Sequence, residues 1–380
     1  MSTRTAESEP LESGQSVQLE SKDSIDKESY IRELIIKFRQ DAMIEPISCP
    51  RDENDVVLEE PSQLSPFYKV YQIYKKHEAV FWTSNEIDMS IDKQHYDMLN
   101  KDEQRFLSHI LGFFAGSDVI VNNNIESNYI PKITEPYITV FYDYQKMAEN
   151  THSFTYSNML RALLSVQDYD RVKNAVITMP VVKKKADWAR KWIHADCTLS
   201  ELLVAFKCVE GIFFAGSFCA IYWLAELRKD NKEGLFPGIR YANEFIARDE
   251  GIHTLFADTV YKEHIVNKLP YELVREIFLD AVSIEKEFII SALPCKLIGM
   301  NSHLMSQYIE YVANHEIKSL GYNDIDQLLF PPRPCPFQFM LKISLQKKNN
   351  FFELQGAEYS KSGSHNICPE DGMFGLDAEF

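Results

Sequence analysis

AENTHSFTYS, residues 148–157, sets Glu149 and His152 three positions apart, and NEFIARDEGIH, residues 243–253, repeats the spacing with Glu250 and His253. Residues i and i+3 lie on one helix face, so each pair turns a carboxylate and an imidazole toward the same point. One such pair is a common accident in a chain with ten His and 56 Asp plus Glu, and a capped or surface His is its ordinary reading. The surroundings change that reading. Upstream of each pair an acid stands in apolar company: Asp118 in LGFFAGSDVIV (111–121) and Glu210 in FKCVEGIFFAG (206–216). A carboxylate buried among such side chains is costly unless it is paired or coordinates a metal. The chain thus carries one device twice, a helix with a buried acid followed by a helix with Glu-x-x-His. Asp118, Glu149, Glu210 and Glu250 together carry a charge that two divalent cations neutralise. Oxygen and imidazole donors without thiolate suit iron or manganese rather than structural zinc.

Other residues share these faces. Tyr156 follows His152 by one helical turn, which brings its phenol toward the nearer ion. Phe214 and Phe218 follow Glu210 at i+4 and i+8, and Ile246 precedes Glu250 by four. These three are candidates to wall a dry pocket around the phenol; plain core packing is the alternative for each. Asp249 is positioned to accept the second N–H of His152, as carboxylates commonly do for metal-bound imidazoles, or else to pair with Arg248 on the surface. Trp82 ends the first core helix and reads otherwise as a packing anchor.

The rest of the chain frames these helices. Helical patterns are expected over 27–42, from Ser65 through Trp82, and over 101–130, 134–164, 179–195, 199–229, 240–264, 270–293 and 300–320, with Asp92 capping a short connector. No clean strand pattern occurs. The fold class is therefore all-α, a ferritin-like bundle whose long central helices house a dinuclear carboxylate site. Four segments are expected. Residues 1–25 are polar and disordered; 26–65 wrap the domain irregularly; 66–345 form the helical domain; 346–380 form a flexible tail, because Pro331, Pro332, Pro334 and Pro336 end the helices. The tail closes on FGLDAEF (374–380). Its apolar residues suit either docking on a partner or a frayed end.

Composition removes several function classes. A net charge of −16 over 380 residues works against binding a phosphate backbone. The basic run Lys183-Lys184-Lys185 reads as a solvated helix face. Residues 208–227 are apolar enough for a membrane span, but Glu210 lies inside, so a central helix of a soluble bundle is expected. Seven cysteines without a CxxC indicate a reducing compartment, and the N-terminus carries no export signal, so the chain reads as cytosolic.

The blocks FWTSNEIDMS (81–90), GSDVIVNNN (116–124), AENTHSFTYS (148–157), VKKKADWARKWI (182–193), VEGIFFAGSF (209–218), NEFIARDEGIH (243–253), ALPCKLIGMN (292–301), NFFELQGAEY (350–359) and GLDAEF (375–380) resemble the small subunit of class I ribonucleotide reductase, of the eukaryotic type. The likeness runs from about Phe67 to Phe380. It implies that Asp118, Glu149 and His152 hold one iron ion and Glu210, Glu250 and His253 the other. It further implies that the di-iron centre, O2 and an external electron donor make Tyr156 a stable tyrosyl radical, and that Trp82, Asp249 and Tyr359 carry the radical outward. Phe374, Leu376, Asp377 and Phe380 are implied to dock on the large subunit, where ribonucleotides become deoxyribonucleotides, with the small subunit itself a homodimer. Tyr156 favours the tyrosyl-radical branch over relatives that use a manganese–iron pair, without excluding manganese. Two departures stand out. The family's basic stretch before the first core helix is acidic here, and Phe154 stands where relatives have Glu, a change expected to alter packing or water near the site.

Two other readings share the ligand set: a different di-iron oxidase, which needs neither Trp82 nor the tail, and a helical partner protein with degenerate metal sites. A dinucleotide-binding reductase lacks its GxGxxG and P-loop motifs.

Overall fold

The helices begin where local chemistry starts them. The structure is a computed structural model describing residues 14–49, 58–174, 179–226, 235–292 and 301–341. Its helices are α1 (Gly14–Asp41), α2 (Tyr68–Ala79), α3 (Asp92–Met98), α4 (Lys101–Asn124), α5 (Pro136–Leu163), α6 (Val166–Val172), α7 (Pro180–Trp192), α8 (Leu199–Cys208), α9 (Ala215–Glu226), α10 (Pro237–His264), α11 (Tyr271–Ala292) and α12 (Ser302–Ser319). No strand occurs among the described residues. Asn100 opens α4 by accepting the N–H groups of Asp102 and Glu103, and Glu103 answers with a bond to the Asn100 N–H. Thr198 and Glu201 form the same reciprocal cap on α8, and Glu201 also accepts from Arg39 of α1 at 2.9 Å. Proline supplies the first residue of α5, α7 and α10, where its missing N–H costs nothing.

Four strings of helix make the centre. Helix α4 packs on α5, α5 on α10, and α10 on both α8 and α9, with α11 closing the ring against α4 and α8. Helices α7 and α12 lie against α11, and α2 covers the groove between α5 and α10. In the apolar run Leu199–Ala225 every residue except Gly211 and Ala215 is buried inside the protein, which is where its side chains find their partners.

Several boundaries differ from the sequence expectation. Helix α1 begins at Gly14, inside the segment 1–25, and neither Gly nor Pro interrupts the chain between Gly14 and Pro46. Helix α2 stops at Ala79, and Trp82 lies in the extended connection beyond it. The expected helix 101–130 ends in a wide π turn at Ile125–Tyr129 and a 3-10 turn containing Pro131. The expected helix 199–229 is broken by a second π turn at Val209–Phe213, which contains Glu210. Asp92 is the first residue of α3, yet its buried carboxylate accepts the N–H of Gly238, at 3.0 Å, and so caps α10. A side chain at Gly238 would collide with that carboxylate and with the Asp88 carbonyl. The chain divides into two compact units after Pro334, earlier than the expected 345, because the proline run carries it away from helix. Of the second unit, residues 335–341 are described; within it the Cys335 thiol donates to the Phe337 carbonyl.

The basic run on α7 is not wholly solvated. Lys183 and Lys184 pair on the surface with Asp187 and Glu287, but Lys185 is buried. Its ammonium lies 2.5 Å from Glu285, donates to the Phe213 carbonyl at 3.0 Å and sits over the rings of Phe113 and Phe288 at 3.6 and 3.7 Å. Burial pushes the lysine down to about 8 and the glutamate up to about 7, each opposed by its partner. Losing one member of a buried pair strands the other. Glu285→Gln is expected to cost about 3–5 kcal/mol in urea unfolding. With Lys185→Met added, the two losses should fall short of additivity by about 0.5–3 kcal/mol; strictly additive losses would show that the two groups do not support each other.

Candidate metal centre

Three of the central helix strings bring ligands to one point, and the fourth brings Asp118 within electrostatic reach of Glu149, His152, Glu250 and His253. Glu149 and His152 come from α5, Glu250 and His253 from α10, Asp118 from α4 and Glu210 from the π turn between α8 and α9. All six side chains are buried. Donor atoms of Glu149, Glu210, Glu250 and His253 lie within 4.8 Å of one another. His152 joins them through Nδ1, which is 3.2 Å from Glu149 Oε2 and 3.3 Å from Glu250 Oε1. His253 also turns Nδ1 inward, 3.2 Å from Glu149 Oε1, 3.1 Å from Glu250 Oε2 and 3.7 Å from Glu210 Oε1. Glu149 and Glu250 therefore each face both imidazoles. The sequence grouping assigned one to each ion; the geometry lets both reach either half.

Electrostatics show what the cluster lacks. Burial, then the charge of Glu149, raises Asp118 well above the carboxylate range, and burial raises Glu210 likewise. Burial would also raise Glu149, but bonds from His152 and His253 outweigh it and hold that carboxyl low. Burial would depress both imidazoles, yet the surrounding carboxylates lift them well above the usual value. Asp118 Oδ2 and Glu210 Oε2 have no hydrogen-bond partner. Unpartnered buried oxygens beside inward-turned ring nitrogens fit a site built for cations, and the all-oxygen-and-imidazole donor set fits iron or manganese.

Two groups of side chains extend the site. On one side Trp82 Nε1 donates to Asp249 Oδ2 at 2.7 Å, and the same oxygen lies 3.1 Å from His152 Nε2. The indole stacks on the His152 ring at 5.9 Å. Asp249 is buried, so the surface reading of that residue does not hold, although it does also meet Arg248 at 3.3 Å. On the other side Tyr156 is buried and stacks flat on Phe114, ring centroids 4.6 Å apart. Its hydroxyl has no hydrogen-bond partner. Burial, then the charges of Asp118, Glu250 and Glu149, raises the phenol well above its ordinary value. Phe214 and Phe218 pack on Phe114 with ring centroids 5.4 and 5.0 Å apart, and Ile246 is buried one turn before Glu250. Phe154 is 67% exposed on the outer face of α5, so it does not alter packing or water at the site. Tyr359, Phe374, Leu376, Asp377 and Phe380, with the tail 346–380, lie outside the described residues.

Sequence reading missed three groups. Gln145 donates to Glu210 Oε1 at 2.6 Å and stands one turn before Glu149; Phe114 stands one turn before Asp118. Both follow from the i−4 position. His77, buried at the end of α2 and packed on His253, carried no local signal. Because Asp249 orients His152 from behind, Asp249→Ala is expected to weaken one of two Co(II) ions about 10–100-fold in calorimetric titration, with far-UV circular dichroism unchanged. Equal affinity in the variant would remove Asp249 from the support of the site.

The chain is similar to known proteins over most of its length. The family model for the ribonucleotide reductase small chain matches residues 66–325. The chain is 43% identical over 341 residues to the ribonucleoside-diphosphate reductase small chain of Trypanosoma brucei brucei, covering 87% of this chain and 98% of that protein. It is 45% identical over 316 residues to the ribonucleoside-diphosphate reductase subunit M2 of Homo sapiens, covering 83% and 78%. Among solved structures, the ribonucleotide reductase Rnr4 homodimer from Saccharomyces cerevisiae matches with a TM-score of 0.68 at 27% identity, over 85% of this chain and 98% of that one. The chain belongs to the ribonucleotide reductase small-chain family.

Proposed function

We propose that this chain is the radical-generating small subunit of ribonucleoside-diphosphate reductase, working as a homodimer in the cytosol with a separate large subunit. The observation that carries the reading is Tyr156: a buried phenol with no hydrogen-bond partner, stacked on Phe114 and facing the charges of three cluster carboxylates. Two iron ions held by Asp118, Glu149, His152, Glu210, Glu250 and His253 would supply, with O2 and an external electron, the oxidising power to take one electron from that phenol; manganese suits the same donors.

The chain's own residues do the rest. Phe114, backed by Phe214 and Phe218, keeps water and reductants off the ring, which gives an oxidised tyrosine its lifetime. Gln145 fixes Glu210 by donating to one of its oxygens and leaves the other free. Asp249 Oδ2 accepts from both Trp82 Nε1 and His152 Nε2, so an electron leaving the indole has a proton acceptor already in contact. That pair is the start of the outward path, with Tyr359 continuing it. Phe374, Leu376, Asp377 and Phe380 anchor the tail on the large subunit, where ribonucleotides are reduced.

The test is electron paramagnetic resonance on protein loaded anaerobically with ferrous iron and then exposed to air. A tyrosyl signal is expected in the native chain and none in Tyr156→Phe, which should keep both metal ions and its helicity while losing all reductase activity with the large subunit. Full activity in Tyr156→Phe refutes the radical role; bound metal without a radical in the native chain points to an oxidase, and no metal uptake to a degenerate partner protein. Removing residues 374–380 should leave the radical signal unchanged and abolish measurable binding to the large subunit, and undiminished affinity would sink the docking role.

A further inference from the structure

The two imidazoles of the centre are supported differently. His152 has a carboxylate behind it, Asp249 Oδ2 at 3.1 Å from Nε2. The corresponding atom of His253, Nε2, is buried and has no hydrogen-bond partner. Metal-bound imidazoles almost always donate their outer N–H, because the bond fixes the tautomer and the ring orientation. Among the rings packed against His253 is that of His77, from the last turn of α2. Its ring lies edge-on to His253 with centroids 4.8 Å apart and planes at 69°. His77 is 1% exposed, and neither of its ring nitrogens has a partner. Its other ring neighbours are Phe141 and Tyr144, at 5.5 and 4.7 Å. Two buried imidazoles in contact thus hold three unpartnered nitrogens between them, in a protein where such atoms are rarely left unmade.

Resting on the six-ligand reading above, we propose that His77 is the positioning residue of His253, accepting the Nε2–H of His253 when Nδ1 is turned to the metal. An imidazole that accepts at one ring nitrogen carries its proton on the other and is neutral. The two ions therefore differ in what stands behind their imidazoles. Asp249 lends negative charge to His152 and strengthens it as a ligand; His77 orients His253 without adding charge. The ion on the His253 side is the weaker bound of the two.

The experiment is titration of the metal-free full-length chain with Co(II), read by calorimetry, visible ligand-field absorption and the hyperfine-shifted imidazole N–H signals in proton NMR. The native chain is expected to bind two ions with unequal affinity and to show two slowly exchanging N–H signals. His77→Ala and His77→Phe should each lose one of those signals and weaken one ion about 10–100-fold. His77→Gln, which restores an acceptor oxygen, should recover the signal and most of the affinity. If His77→Phe keeps both signals and both affinities, His77 merely fills space and the inference falls while the six-ligand reading stands. If His77→Gln behaves like His77→Phe, acceptance of the N–H is refuted in the same way. If the native chain takes up no Co(II), the six-ligand reading falls and takes this inference with it.

Discussion

Four carboxylates and two imidazoles, all out of water at the centre of a helical bundle, are the constraint to which the rest of the structure answers. Buried like charges repel and forfeit hydration, so they stay together only if opposite charge and hydrogen bonds are supplied. The fold supplies what bonds it can. The i and i+3 spacing puts an imidazole beside a carboxylate on each of two helices, and each imidazole faces both Glu149 and Glu250. Gln145 covers one oxygen of Glu210. The oxygens that remain bare are the ones that call for a cation.

Helix placement serves the same end. Helix α10 carries Glu250, His253 and Asp249, and its start is pinned by a buried carboxylate from a distant connector, Asp92. Behind α9, Lys185 bridges Glu285 and the Phe213 carbonyl, at the last residue of the turn that bears Glu210. These polar contacts are worth little as net stability but strict as geometry, since each fixes one helix at one register relative to its neighbour. Around Tyr156 the site is aromatic, with Phe114 backed by Phe214 and Phe218; around His152 it is hydrogen-bonded, through Asp249 to Trp82.

Much of this was legible in sequence because it depends on local spacing. Glu-x-x-His, the acids in apolar runs and the one-turn step from His152 to Tyr156 are all statements about a single helix, and helical periodicity makes them readable. Phe114 and Gln145 obey the same rule and were within reach. What was not legible depends on which helices meet. Asp92 read as a cap for its own connector and caps another helix; Lys185 read as one of three surface lysines and is the buried one. His77 has no sequence neighbour to announce it, since its partners sit on α5 and α10. The π turn at Val209–Phe213 was also hidden, because an apolar run shows no change in period when one residue too many is wound into it.

That wide turn acts as a phase shifter. An α-helix advances about 100° per residue, so one surplus residue rotates everything downstream by about that angle about the axis. Helix α8 packs on α7, α10 and α11, while α9 packs on α10, α11 and α12, so the turn between them sets which side chains of α9 meet those neighbours. The stretch 209–213 is for this reason sensitive to length more than to composition. Exchanging one apolar side chain for another leaves the phase intact, whereas deleting a single residue would rewind the turn to an ordinary helix. Either Glu210 would then leave the cluster, or the whole of Ala215–Glu226 would present the wrong side to its neighbours.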